Sequence, residues 1–268
     1  MLIAQISDLH IPVQGEKTYG IADMAGNLSI CVEHLNQLDP RPEIVLITGD
    51  ITSKALTEEF AYAAQIISNL NMPFYIIPGN HDDRKKLQNA FKGSSCPSET
   101  DDFIQYVIDG HELRIVMVDS TIHGESGGEI CHQRAAWLDK KLAKDINKPT
   151  LICMHHPPVK CGVIETDING FIGDDRLGNV VEKYGNIEAI LCGHIHRPAF
   201  TRWRGTVVST APSMGMQLVL DLNLKTEAFV LEAPAYQLHY WTPDHNLVTH
   251  TNYLHNCDGP YLFELYDS

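Results

Sequence analysis

The sequence predicts an α/β fold in which buried strands alternate with helices, followed by an antiparallel extension beyond Pro212. Three observations predict it. Runs such as Ile44-Val45-Leu46-Ile47 are short, branched and apolar throughout, which marks strands buried on both faces. Between such runs lie stretches with apolar residues at helical spacing. Each strand then breaks at a polar cluster carrying Asp, Asn or His. In open α/β sheets, ligands bind outside the carboxyl ends of the strands, so these breaks are where chemistry is expected.

In chain order, Leu2 to Ile6 forms the first strand and runs into Ser7-Asp8-Leu9-His10. Asp8 and His10 stand two apart, so extended backbone would point both side chains to one side. Residues Gly15 to Gly20 form a loop. Met24, Leu28, Cys31, Val32, Leu35 and Leu38 then mark a core-facing helix that ends before Asp39-Pro40. The strand over Ile44 to Ile47 leads through Thr48-Gly49 to Asp50. One Gly-Asp pair alone would be an ordinary turn; the recurrence of such ends gives this one weight.

Thr57 is positioned to cap the next helix, with Glu58 and Glu59 in its first turn and Phe60, Ala63, Ala64, Ile67 and Leu70 as its buried stripe. Pro73 to Ile77 is a strand broken by Pro78-Gly79-Asn80-His81-Asp82. Residues 103–108 and 113–118 flank Asp109-Gly110, a hairpin signal, and Asp119 ends the second arm. A helix through Trp137, Leu138 and Leu142 follows Gly127-Gly128. Leu151 to Met154 is a strand ending at His155-His156-Pro157-Pro158. A looser polar stretch and a helix over 177–184 precede Ala189 to Cys192, which leads into Gly193-His194-Ile195-His196. Beyond Pro212, residues 217–222, 228–231, 237–241 and 247–251 read as antiparallel strands.

Composition narrows the function. The 268 residues, 44% of them hydrophobic, can bury one large core, and 1–268 is read as a single domain. The formal net charge is -14, with 34 acidic against 20 basic residues. Nucleic-acid binding rests on phosphate neutralisation, so DNA or RNA polymers are not the expected partners. No window is long enough for a membrane span, and the first residues carry no basic leader. Seven Cys are scattered without a CxxC pair, and Cys153 and Cys192 sit inside apolar strands as small hydrophobes. A reduced, cytoplasmic protein is the expectation.

Taken together, Asp8, His10, Asp50, Asn80, His155, His194 and His196 offer oxygen and imidazole donors without thiolate, which suits Zn, Mn, Fe or Co. Each histidine alone would more often be a packing or surface residue. The ordered series exceeds what one ion needs. Two divalent ions sharing Asp50 use it fully: Asp8, His10, Asp50 and His196 on one, and Asp50, Asn80, His155 and His194 on the other. Ions about 3.5–4 Å apart can hold a hydroxide between them and clamp a phosphoryl centre. His156 is read as a structural neighbour of His155, and His34, His111, His123, His132, His239, His245, His250 and His255 as surface or packing residues.

Asp8-Leu9-His10, Gly49-Asp50, Gly79-Asn80-His81-Asp82, His155-His156 and Gly193-His194-Ile195-His196 resemble the motifs of the calcineurin-like metallophosphoesterase superfamily. The resemblance spans about residues 1–210. The loop Gly15 to Gly20, Gly128-Glu129-Ile130 and Gly259-Pro260-Tyr261-Leu262 resemble its bacterial branch of glycerophosphodiesterases and class III cyclic nucleotide phosphodiesterases. Ala55 departs from the pattern, which often has glycine there. The resemblance implies a β-sandwich flanked by helices (αββα), the two-ion assignment above, and His81 on the substrate side. It also implies a homo-oligomer built partly by the C-terminal segment, so the domain divides into a catalytic core over 1–212 and a capping and oligomerisation segment over 213–268.

The activity implied is hydrolysis of small phosphodiesters, first glycerophosphodiesters and second 3′,5′-cyclic nucleotides, by a hydroxide bridging the ions. Asp50, Asn80 and His81 are the catalytic candidates; Asn80, His81 and His196 are those expected to meet substrate, with His81 donating to the phosphoryl or leaving oxygen. A phosphoprotein phosphatase would place an Arg-containing loop where Ile51-Thr52-Ser53-Lys54 stands. A one-ion enzyme and a non-catalytic scaffold are the remaining alternatives, and the intact donor series disfavours the scaffold.

Overall fold

Strands β1 (Leu2–Ile6), β2 (Ile44–Ile47) and β3 (Phe74–Ile76) lie side by side in parallel, and their apolar runs are covered on both faces. The structure is a computed structural model; it describes the chain except residues 92, 94, 101, 224, 226, 255–260 and 262–268, and the side chain of residue 165. Helices α1 (Met24–Gln37), α2 (Thr57–Ile67) and α3 (Arg84–Ala90) follow those three strands in turn.

The second half repeats the scheme. β4 (Tyr106–Ile108) pairs antiparallel with β5 (Arg114–Met117), and β5, β7 (Thr150–Cys153) and β9 (Ile187–Cys192) run parallel. β6 (Gly128–Glu129), α4 (His132–Leu142), α5 (Ile164–Asn169), β8 (Phe171–Ile172) and α6 (Asp174–Val181) fill the connections. A hairpin of β10 (Ala199–Trp203) and β11 (Thr206–Thr210) gives the order β10-β11-β9-β7-β5-β4. The chain ends with β12 (Met216–Leu218) paired to β13 (Phe229–Leu231), then β14 (Ala235–Trp241) and β15 (Leu247–Tyr253). These last two join the first sheet in the order β15-β14-β1-β2-β3.

The period of two along β5 and β7 sets the layers. Ile115, Met117, Leu151 and Cys153 pack into the core shared with the first sheet, whereas Val116, Val118, Ile152 and Met154 pack against Leu138, Leu142, Leu177 and Val181 of α4 and α6. Helices α1 and α2 bury Leu28, Leu35, Phe60 and Ala63 on the other side, completing an αββα sandwich. Each fully buried aliphatic side chain of this kind contributes about 1.5–3 kcal/mol.

Several expectations change in detail. The Asp109-Gly110 hairpin forms, but residues 109–113 separate its strands. Thr57 is the first residue of α2 and not its cap; the Glu59 carboxylate accepts from Leu56 N (3.1 Å) and Lys54 N (2.8 Å) instead. Within β14, Tyr236 and Trp241 are buried because the strand lies between β1 and β15, whereas Tyr240 is exposed. Ala55 adopts φ 53°, the left-handed region that favours glycine. Of the ending Gly259-Pro260-Tyr261-Leu262, all but Tyr261 lie outside the described residues, as does His255.

Candidate metal centre

All the polar breaks predicted from sequence fall at one end of the sandwich. Asp8 and His10 follow β1, Asp50 follows β2, Asn80 and His81 follow β3, His155 follows β7, and His194 and His196 follow β9. The extended backbone expected at Asp8 and His10 is absent. Both are left-handed, at φ 54° and 43°, and so are Asp50 (53°), His194 (72°) and His196 (54°). Such conformations cost about 1–3 kcal/mol each and persist where the surroundings enforce them. Here the enforcing bonds are Asp8 N to Gly49 O (3.0 Å), His10 N to Asp50 O (2.9 Å), and His194 N to the Asp8 carboxylate (3.0 and 3.1 Å). Gly79 is required for close approach, since a Cβ there would overlap Asp50 Oδ1 and N.

The side chains converge as two sets about one carboxylate. His10 Nε2 and His196 Nε2 face each other at 3.0 Å, His196 Nε2 stands 3.4 Å from Asp8 Oδ1, and donor atoms of Asp8, His10, Asp50 and His196 lie within 4.8 Å of one another. Asp50 Oδ2 is 3.5 Å from His10 Nε2 on that side and 3.3 Å from His155 Nε2 on the other. His155 Nε2 is also 3.1 Å from Asn80 Oδ1. The opposite ring nitrogens are fixed by carbonyls: His155 Nδ1 to Thr48 O at 2.7 Å and His196 Nδ1 to Met216 O at 2.6 Å. Binding one ring nitrogen to a backbone acceptor leaves the other as donor to a metal.

Electrostatics agree with this arrangement. Burial alone would raise the Asp50 carboxyl, but the imidazoles of His155 and His81 outweigh it and hold the group well below its ordinary value. Burial alone would lower His155; Asp50, and to a lesser degree Asp8, push it up to about 9. Burial lowers His10 and His194 well below the ordinary imidazole range and raises Asp8. His81 opposes burial through Asp50, the Ser53 carbonyl and Asp82, which together raise it. Its backbone N donates to Asp50 Oδ1 (2.8 Å) and its Nδ1 meets Ser53 O (2.9 Å).

A cavity of about 310 Å³ opens over this cluster, lined by His10, Asp50, Asn80, His81, His194 and His196. Ser126 and Asn169 line it as well, and β12 and β13 contribute Met216, Leu218 and Phe229. Tyr19 and Phe229 stack at 5.4 Å across its rim. Sequence reasoning passed over Ser126 and Asn169, which lie in stretches without periodicity or motif. It also passed over Arg84, whose Nε donates to buried Asp119 (2.6 Å) and whose Nη2 reaches the Thr121 carbonyl (2.9 Å). His156, set aside as structural, is buried with one ring nitrogen within 4.8 Å of nitrogens of His155 and His194.

The donor set fits divalent metal. Two imidazole Nε2 atoms 3.0 Å apart, with no protein group between them, match two ligands of one ion bound at about 2.0–2.1 Å. Asp50 Oδ2, between nitrogens of both sets, has the position of a shared ligand. A buried His/Asp cluster of this kind, at the carboxyl ends of strands in an αββα sandwich, defines a protein class suited to a dinuclear metal site.

A sequence model of the calcineurin-like phosphoesterase family matches residues 1–198, and the chain belongs to that family; it is a hydrolase of phosphate esters. Over 265 residues it is 40% identical to a probable glycerophosphodiester phosphodiesterase of Arcobacter nitrofigilis, covering 98% of this chain and 97% of the relative. It is 25% identical over 215 residues to the 3′,5′-cyclic adenosine monophosphate phosphodiesterase of Escherichia coli K12, covering 80% and 76%. Among solved structures, a dimetal phosphatase from Danio rerio shares the fold at a TM-score of 0.63 and 17% identity, covering 89% of this chain and 94% of that one. Among the described residues, no helix is long and apolar enough to cross a membrane.

Proposed function

We propose that the chain hydrolyses small soluble phosphodiesters, glycerophosphodiesters first among them, with two divalent ions of Mn, Fe, Zn or Co. One ion would be held by Asp8, His10, Asp50 and His196, the other by Asp50, Asn80, His155 and His194. The observation that carries this reading is Asp50 Oδ2, 3.5 Å from His10 Nε2 and 3.3 Å from His155 Nε2. Bound ions supply positive charge for the phosphoryl oxygens and acidify water towards pKa about 7.

The protein's own groups do the rest. Asn80 and His196 line the cavity and position the phosphoryl group. His81, oriented through Nδ1 by the Ser53 carbonyl and raised against burial by Asp50, would donate from Nε2 to the phosphoryl or leaving oxygen. The acidic surface disfavours polymeric substrates. The name of the Arcobacter relative puts glycerophosphodiesters first. A cyclic nucleotide is the second reading, favoured by the Tyr19–Phe229 pair, which could stack a base. We also propose a single domain over 1–268 and a cytoplasmic homo-oligomer, with 213–268 rimming the site and contributing to the subunit contact. Metal-reconstituted protein should turn over glycerophosphodiesters faster than cyclic nucleotides or model aryl diesters. A preference for cyclic nucleotides selects the second reading, and cleavage of long duplex DNA with neither small substrate attacked overturns both.

A further inference from the structure

We propose that His156 is itself a metal ligand: with His155 and His194 it forms a three-imidazole cage that holds the second ion as an alternative to Asp50 and Asn80. The inference rests on the two-ion reading above and adds a second station for one of the ions. His156 is 1% exposed; its Nε2 is buried and makes no hydrogen bond of full geometry, the Ser126 carbonyl being a backbone acceptor near the ring. Its ring lies 4.5 Å from the His194 ring and 4.7 Å from the His155 ring, and one nitrogen from each of the three residues falls within 4.8 Å of the others.

The other ring nitrogen is already committed. His156 Nδ1 sits 2.9 Å from Ser120 Oγ, which also accepts the His156 backbone N–H at 3.1 Å. An Nδ1–H donated to that oxygen leaves Nε2 with its lone pair, as the Thr48 carbonyl does for His155. Gly128 keeps the ring in place, since a Cβ there would come within 2.5 Å of His156 Cβ and Cγ. A fixed, buried imidazole beside two predicted ligands is placed to take up an ion. Three nitrogens on one tetrahedral ion lie about 3.4 Å apart, so the cage closes with shifts of about 1 Å. Its donors suit Zn or Co better than Mg or Ca. An ion could pass between stations without leaving His155 or His194.

The test is Co(II) titration of the metal-stripped full chain, by calorimetry and visible absorption, in wild type, His156→Gln, Ser120→Ala, Asn80→Ala and Asn80→Ala/His156→Gln. We expect His156→Gln to weaken the second binding step by about tenfold or more and to change its visible spectrum. Asn80→Ala should still take up a second equivalent, and the double variant should not. Ser120→Ala keeps the imidazole but frees its Nδ1, and should weaken the second step less than His156→Gln does, which separates ligation from packing. Unchanged second-site affinity and spectrum in His156→Gln overturn the cage while leaving two ions in place. So does an equal loss in Ser120→Ala. A wild type that binds only one equivalent overturns both the cage and the two-ion reading.

Discussion

Asp50 stands between two sets of donors, so its replacement acts on both. Asp50→Ala should lose proper loading of both ions and nearly all activity, whereas Asn80→Ala should weaken mainly one and be partly rescued by excess metal. A fully metallated, active Asp50→Ala protein, by elemental analysis and assay, would refute the shared carboxylate. His81 is left over once both sets are filled, and its Nδ1 is held by Ser53. His81→Ala should therefore keep both ions and lower kcat by about 10²–10⁴-fold for alkyl diesters. The loss should shrink for aryl diesters, whose leaving groups need little protonation; equal losses on both would remove the acid role. His155 adds a pH dependence. Asp50 and Asp8, working against burial, raise it to about 9 in the metal-free chain, while a ligand nitrogen must be free of its proton. Metal uptake at pH 7.5 should expel a proton, and affinity should fall by about tenfold per unit as pH drops below about 9, levelling off above. Calorimetry in buffers of different ionisation heat measures the release; zero release contradicts it.

At the scale of elements, the strand ends were legible because each combines a local signal with a repeat: a short β-branched run, then glycine or a polar cluster. The left-handed backbone at Asp8 and His10 was not legible, since non-glycine residues carry no mark of positive φ; the turn that closes on Gly49 O and Asp50 O imposes it. The β10–β11 hairpin escaped notice because β10 is an exposed edge strand without strict alternation, and β6 and β8 are two residues long. Strand alternation would turn His156 away from His155. The bend after β7 instead keeps the two rings 4.7 Å apart. The loop after Asp50 offers a test of backbone strain. Ala55 holds φ 53° and its carbonyl accepts from Lys86 Nζ at 2.7 Å, a bond that glycine would preserve. Ala55→Gly should raise stability by about 0.5–1 kcal/mol, seen as a Tm higher by about 1–4 °C. A lower Tm would mean the strain is relieved elsewhere.

Across the whole molecule, the C-terminal strands do more than rim the cavity. β14 pairs with β1 and β15 with β14, so truncation before Gln217 would strip two strands from the first sheet as well as Met216 O's neighbours from His196. The predicted ligands divide between the sheets: Asp8, His10, Asp50 and Asn80 follow strands of the first, and His155, His194 and His196 follow strands of the second. Ions held by these residues would work as a clasp across one mouth of the sandwich, and unfastening it should let that mouth gape while the far end stays shut. Hydrogen exchange after chelation should show amides at the carboxyl ends of β1, β2, β7 and β9 losing protection, with those at their amino ends little changed. A uniform change would mean the sheets part as one rigid pair of plates. A graded one would mean that the protein opens like a book, with its spine opposite the metal.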